Sequence, residues 1–284
     1  MSELTLVAAW TLAKSRLQAA GIEGPVIDAR LLVEAAADAT RTDIIAEPRR
    51  PLTQAQATRL EAFLARREAR EPVSHILGRK GFWKIMLAVN NKVLTPRPDT
   101  ETLVEWLLRS VPEHAAFSLL DLGVGSGAML LSVLAERPAG RGLGVDASDE
   151  ALAVARENAA NLGLAGRTAF LRGDWCFGLG DASFDFVVSN PPYIPTEDIE
   201  GLEPEVRDHE PRLALDGGPD GLDAYRTLAP EILRVLKPGG KFAVEIGVDQ
   251  AVAVRGLFTD AGATELVTLK DLSDRERVVA GARP

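Results

Sequence analysis

Three segments carry residue types whose spacing could do chemistry. In Phe184-Asp-Phe-Val-Val-Ser-Asn190-Pro191-Pro192-Tyr193, two prolines directly follow a strand-like apolar run. They remove two backbone donors and stiffen the exit of the strand, so the backbone at these two positions can only accept hydrogen bonds. The Asn190 side-chain carbonyl and the rigid backbone carbonyls suit a substrate that presents an NH2 group on a planar system, and Tyr193 offers a flat face for stacking. In Leu119-Leu-Asp-Leu-Gly123-Val124-Gly125-Ser126-Gly127-Ala128, a strand ends in glycines that permit a sharp turn and bare-backbone contact with a ligand. Read as G-x-G-x-x-G/A through Gly123, Gly125 and Ala128, the same loop would also serve a nicotinamide dinucleotide, so the glycines do not choose the cofactor. Asp146 follows Gly127 by 19 residues and ends the next strand, where a carboxylate meets the two hydroxyls of a ribose. Its alternative role is to cap a helix starting near Ser148.

These segments need a frame. From Phe117 onward short apolar runs alternate with amphipathic stretches, predicting strands over 117–122, 142–146, 167–171, 184–189, 240–246, 265–269 and 276–280. A helix is expected over Asp149–Asn161 with Leu152, Val154, Ala155 and Ala159 inward, and Leu236-Lys-Pro-Gly-Gly-Lys reads as a turn. The pattern is α/β, an open doubly wound sheet of seven strands whose last two form an antiparallel edge. Residues 1 to about 70 read instead as a small helical bundle. Leu4, Val7, Ala8 and Leu12 make one apolar stripe, Pro25 opens a second helix carrying Val26, Ile27, Leu31, Leu32 and Ala35, and Thr53 caps a third with Leu60, Phe63 and Leu64. Between the two regions, apolar runs on either side of Asn90-Asn91 predict a β-hairpin turning there. The expected organisation is a helical domain over 1–80, a β-hairpin linker over 81–95 and a catalytic domain over 96–284.

Composition excludes other classes. One cysteine, Cys176, in 284 residues leaves no intramolecular disulfide and no thiolate metal site, and no metal is expected. Glu3 stands where a leader peptide would carry basic residues, and no apolar run reaches about 18 residues, so a cytoplasmic protein without membrane contact is expected. The formal charge of −9 disfavours direct nucleic-acid binding, and it is uneven. Residues 1–85 hold 13 basic and 10 acidic side chains, the remainder 19 and 31. The run Arg66-Arg67-Glu68-Ala69-Arg70 could dock a partner or be a solvated helix face.

Asn-Pro-Pro-Tyr together with Asp-Leu-Gly-x-Gly-Ser-Gly resembles the S-adenosylmethionine-dependent amino methyltransferases. Four further segments narrow the resemblance: Glu71-Pro-x-x-x-Ile-x-Gly78, Thr95-Pro-Arg-Pro-Asp-Thr-Glu101, Gly173-Asp-Trp175 and Glu210-Pro-x-x-Ala-Leu-x-Gly-Gly-x-Asp-Gly-Leu222. With these the chain is similar, from about residue 4 to its end, to the HemK/PrmC family of peptide chain release factor glutamine methyltransferases. It departs at His75, where the family usually has tyrosine, at Val124 for threonine, and at Asn91-Lys92, where a proline often stands.

The resemblance implies a class I S-adenosylmethionine-dependent methyltransferase, Rossmann-like, with an N-terminal helical domain that docks the substrate. Gly123, Val124, Gly125, Ser126 and Gly127 would wrap S-adenosyl-L-methionine, Asp146 would hold its ribose, Trp175 would lie on the adenine and Asp174 would bind the adenine amino group. Asn190, Pro191, Pro192 and Tyr193 would form the substrate pocket, with Asn190 touching both ligands. The implied reaction methylates N5 of the glutamine in the Gly-Gly-Gln motif of class 1 release factors, leaving S-adenosyl-L-homocysteine, in a monomeric enzyme. An amide nitrogen is a poor nucleophile, so the chemistry needs alignment more than a base, and alignment can contribute on the order of 7–11 kcal/mol. A DNA or RNA adenine amino methyltransferase stays open as the alternative, because its target is also an NH2 on a planar system. A non-catalytic binding module has no use for an amide-aligning pocket.

Overall fold

The computed structural model describes residues 4–284, so Glu3 lies outside the described residues. The chain divides into two compact units, one running to Gly78 and taking in Glu203–His209, the other made of Arg79–Leu202 and Glu210–Pro284.

The first unit is helical: α1 (Leu6–Ala19), α2 (Pro25–Ala37), α3 (Arg41–Ala46), α4 (Gln54–Glu68) and α5 (Val73–Leu77). Pro25 begins α2 and Thr53 caps α4 in a reciprocal box with Gln56, as their residue types require. The apolar stripes differ from expectation. The face of α1 that enters the core is Leu6, Ala9, Ala13 and Leu17, while Val7 and Leu12 are exposed; on α2 it is Ala29, Leu32, Val33 and Ala36, while Val26 and Ile27 are exposed. Alanines fill much of each buried face, Ala9 and Ala13 on α1 and Ala29 and Ala36 on α2, and a reading weighted to large apolar side chains passes over them. The arginine run is consumed internally. Arg67 is buried between Asp28 and Glu205, Arg70 pairs with Glu203 and Glu205, Arg66 with Glu71, and Glu68 with Arg16. Arg67 is thus withdrawn from the surface, whereas Arg66 stays exposed within its ion pair.

The second unit opens with a hairpin, β1 (Arg79–Phe82) and β2 (Ile85–Ala88). Its turn is Trp83-Lys84, not Asn90-Asn91. Trp83 takes a left-handed φ of 52°, held there by its backbone N–H on Glu101 and its indole N–H on Glu136, both at 2.8 Å. Asn90 instead makes a local turn, its side chain accepting the Lys92 N–H.

The remaining elements alternate: α6 (Glu101–Ser110), β3 (Phe117–Leu122), α7 (Ala128–Glu136), β4 (Gly140–Asp146), α8 (Asp149–Asn161), β5 (Thr168–Arg172), β6 (Phe184–Ser189), α9 (Pro204–Arg207, in the first unit), α10 (Asp223–Val235), β7 (Leu236–Glu245), α11 (Ala251–Asp260), β8 (Thr264–Lys270) and β9 (Glu276–Ala282). The seven strands from β3 to β9 form one sheet in the order β5-β4-β3-β6-β7-β9-β8. β9 pairs antiparallel with β7 and β8, and every other pairing is parallel. The expected strands are present, three of them extended by one or two residues at one or both ends, β5 shifted by one, and β7 beginning four residues earlier than expected and ending one earlier. The Lys237-Pro-Gly-Gly segment, expected as a turn, is an irregular bulge within β7 opposite Asp185. The sheet separates two cores. Leu119 faces α6, α7 and α8, whereas Leu120 and Leu122 face α10 and α11, the period-two alternation of a strand covered on both sides.

Candidate active site

The strand order reverses between β3 and β6, so the chain leaves these neighbours in opposite directions and opens a crevice beyond their carboxyl ends. A cavity of about 520 Å³ lies there. The loop after β3 forms one wall. Gly123, Gly125 and Gly127 all have positive φ, from 52° to 83°, which frees the turn from side chains. A Cβ on Gly123 would stand 3.7 Å from the Trp175 ring and 3.9 Å from the Asn190 carbonyl oxygen, so this bare backbone joins the aromatic wall to the Asn-Pro-Pro segment. Gly127 has another task. It precedes α7, and a Cβ there would stand 2.8 Å from Leu131 Cδ1; it seats the helix and does not line the cavity.

Asp146 ends β4 and accepts two backbone N–H groups, from Gly125 to Oδ2 and from Ser148 to Oδ1, each at 2.9 Å. The helix cap is filled by Ser148, whose hydroxyl accepts the Ala151 N–H. Asp146 therefore braces the glycine loop and, with one bond accepted on each oxygen, keeps acceptor capacity at the cavity that it lines. Val124, Ser126, Asp174 and Trp175 also line it. Trp175 is held at a φ of 49°, a costly conformation for an aromatic residue and a sign that the surroundings dictate its placement.

On the other side, Asn190 and Pro192 line the cavity, but Pro191 and Tyr193 do not. The expected stacking face of Tyr193 is turned away: its ring packs beside Gly247 and its hydroxyl donates towards Glu245 Oε1 at 3.4 Å. Burial and the nearby carboxylate raise the Tyr193 phenol well above its ordinary range, so it is neutral. Asn190 Nδ2 donates to Thr100 Oγ1 at 3.4 Å, which leaves its Oδ1 without a partner among the described residues.

Several residues given no role from sequence hold this arrangement. Buried Glu210 accepts the Thr95 N–H at 3.2 Å and pairs with Arg97 at 2.7 Å, pinning the segment whose Pro96, Arg97 and Thr100 line the cavity. Burial raises its pKa against the pull of Arg97. Gly217 and Gly221 let the 215–217 strip run beside Pro192 and Tyr193: Cβ atoms there would stand 2.9 Å from the Pro192 oxygen and 2.3 Å from the Tyr193 oxygen. Ile194 bonds to Leu215 and Gly217 across this strip, and Gln250 donates to the Tyr193 oxygen at 2.9 Å. Beneath the glycine loop, fully buried Asp121 accepts the Leu130 N–H, and burial pushes its pKa up to about 8. The available signal was a lone acid inside an apolar strand, at Asp121 and again at Glu245.

Residues 8–78 match the PrmC N-terminal domain and residues 113–272 a methyltransferase domain. A release factor glutamine methyltransferase of Caulobacter vibrioides is 69% identical over 280 residues, covering 99% of this chain and 97% of its own. One of Rhodospirillum rubrum is 48% identical, covering 94% and 82%. Among solved structures, a methyltransferase of Pyrococcus furiosus matches with a TM-score of 0.52 at 15% identity, over 78% of this chain and 97% of that one, a likeness of fold. With this agreement along nearly the whole chain, it belongs to the release factor glutamine methyltransferase family.

Proposed function

We propose that this chain transfers the methyl group of S-adenosyl-L-methionine to the side-chain amide nitrogen of the Gly-Gly-Gln glutamine in class 1 peptide chain release factors. The observation that carries the reading is Asn190, whose amide N–H is engaged by Thr100 while its carbonyl oxygen stays free at a cavity shared with the glycine loop. The cavity suits the cofactor: it offers bare glycine backbone, an indole face at Trp175 and a carboxylate at Asp146 with acceptor capacity to spare. When bound, the cofactor supplies an activated methyl group on a cationic sulfur. Asn190 Oδ1 accepts one N–H of the glutamine amide; the other goes to the backbone carbonyl of Pro191, which does not itself line the cavity but stands between Asn190 and Pro192, which do. Both bonds raise electron density on the amide nitrogen and fix the direction of its lone pair, so orientation lowers the barrier without a general base, and the nitrogen, strongly acidic once methylated, gives its proton to water.

The first unit docks the body of the release factor, since one glutamine side chain offers too little surface to select a protein substrate, which commonly needs on the order of 800 Å² per partner. The enzyme acts as a cytoplasmic monomer without direct contact to nucleic acid. Among the described residues no helix is long and apolar enough to cross a membrane. The test is incubation with methyl-labelled S-adenosylmethionine and either a class 1 release factor or duplex DNA. Label on the factor's glutamine supports the reading, and label on adenine replaces it by the nucleic-acid alternative.

A further inference from the structure

We propose that Thr100 and Glu245 are positioning residues that set the orientation of the Asn190 side-chain amide, forcing its carbonyl oxygen towards the substrate. The inference rests on the glutamine-methylating reading and deepens it. The two ends of an asparagine amide are nearly equal in shape and differ in hydrogen-bond polarity, so whichever group faces them decides which end points into the cavity.

Thr100 is buried where a short 3₁₀ turn (Pro98–Thr100) meets α6, with its Oγ1 3.4 Å from Asn190 Nδ2. A hydroxyl has a single proton. If that proton is committed elsewhere, Thr100 shows Asn190 only lone pairs, and Asn190 must answer with its NH2. The commitment is Glu245, the last residue of β7, which is 1% exposed and whose ionised form the Thr100 side chain stabilises. The same carboxylate receives the Tyr193 hydroxyl at Oε1, while Oε2 is buried without a partner among the described residues. An ionised carboxylate only accepts, so both hydroxyls donate inward and the polarity runs one way, from Asn190 through Thr100 to Glu245. A protonated Glu245 could donate to Thr100, which would release the Thr100 proton towards Asn190 and favour the flipped amide.

The surroundings keep both forms of Glu245 accessible. Burial and Asp99, in the turn before α6, oppose ionisation. Arg277 of β9, itself paired with Asp99 and Asp271, favours it. Tyr225 of α10 bonds the Glu245 backbone oxygen and is neutral at any working pH. The net result is a pKa pushed up to about 7, so ionisation and the productive orientation are gained as the pH rises through neutrality.

The test uses the full chain and an intact release factor. Thr100→Val keeps the shape and removes the hydroxyl. It should lower kcat on the order of tenfold or more while KM and the cofactor Kd stay within about twofold, and Thr100→Ser should recover kcat to within about threefold. A valine variant as fast as wild type overturns the proposal. So does a serine variant as slow as valine, because packing would then be the cause. The second arm does not depend on the folding of Thr100→Val. Wild-type kcat should rise with pH through one ionisation near neutrality, and Glu245→Gln should lose that rise; identical profiles overturn the proposal. A wild-type protein that labels no glutamine overturns the underlying reading, whereas one that labels glutamine alongside an equally fast Thr100→Val overturns the positioning role alone.

Discussion

The backbone N–H of Gly125 meets Asp146 Oδ2 at 2.9 Å, so the carboxylate proposed to hold the cofactor's ribose also ties down the loop that faces it. Removing Asp146 takes away both functions. Hydrogen bonds to a charged acceptor are worth about 1.5–3 kcal/mol each, so losing the two to the ribose in Asp146→Ala should raise the Kd for S-adenosylmethionine by about 100-fold or more. Asp146→Asn, which keeps one acceptor oxygen, should lose less. Isothermal calorimetry decides, and an unchanged affinity would leave Asp146 a loop brace only.

Asn190→Ala separates chemistry from cofactor binding. It should abolish methylation, because the free Oδ1 is the acceptor proposed to align the amide, while the cofactor Kd rises by less than about tenfold. Single-turnover label transfer at saturating cofactor reads the first quantity and calorimetry the second. Wild-type turnover would refute the role assigned to Asn190.

Two glycines with nearly equal backbone angles should respond differently to alanine. Gly163 has a φ of 71° and nothing within 4 Å of a Cβ, so Gly163→Ala pays only the left-handed conformation, about 1–2 kcal/mol. Gly221, at 74°, would drive its Cβ to 2.3 Å from the Tyr193 oxygen. Gly221→Ala should therefore cost more than Gly163→Ala in urea unfolding, and it alone should lower kcat, since Tyr193 follows the Asn-Pro-Pro wall.

Buried Asp121 gives stability a pH slope of definite sign. Its carboxyl sits near 3.8 when unfolded and at about 8 when folded, so the folded chain binds the extra proton between these values. The contribution is complete below the unfolded value and fades as pH rises towards 8; Glu245, raised to about 7, adds in the same direction. Melting temperature should fall from pH 5 to pH 8, and less steeply in Asp121→Asn. Parallel slopes in the two proteins would show that Asp121 does not titrate there.

Docking by the first unit is best tested on exposed basic residues, because its arginine run is already paired and because Glu203–His209 belongs to the same unit, which makes deletion of residues 1–80 a poor probe. Lys14, Arg41 and Arg49 are exposed. Reversing all three to glutamate should raise KM for the release factor several-fold, about 3- to 10-fold, more at low salt than at high, without altering cofactor affinity. An unchanged KM places the docking surface elsewhere.

That the glycine loop, Asp146, Trp175 and Asn190 would meet at one cavity could be read from sequence because these residue types act locally. A strand exit needs glycines to bare its backbone, and two prolines strip donors wherever the chain goes. The alternating strands likewise follow from a period that each segment carries alone. What depended on the rest of the molecule could not be read this way. The turn at Trp83 is imposed by Glu101 and Glu136, which lie 18 and 53 residues away along the chain. The inward face of α1 was decided by alanines that matter only once another helix lies against them. Tyr193 turned from the cavity because β7 brings Glu245 beneath it, and Gly221 is required only because the Tyr193 backbone passes there. Propensity and donor count belong to one residue and its neighbours in sequence. The direction of a side chain, and the protonation of a buried acid such as Glu245, belong to whatever distant segments enclose it.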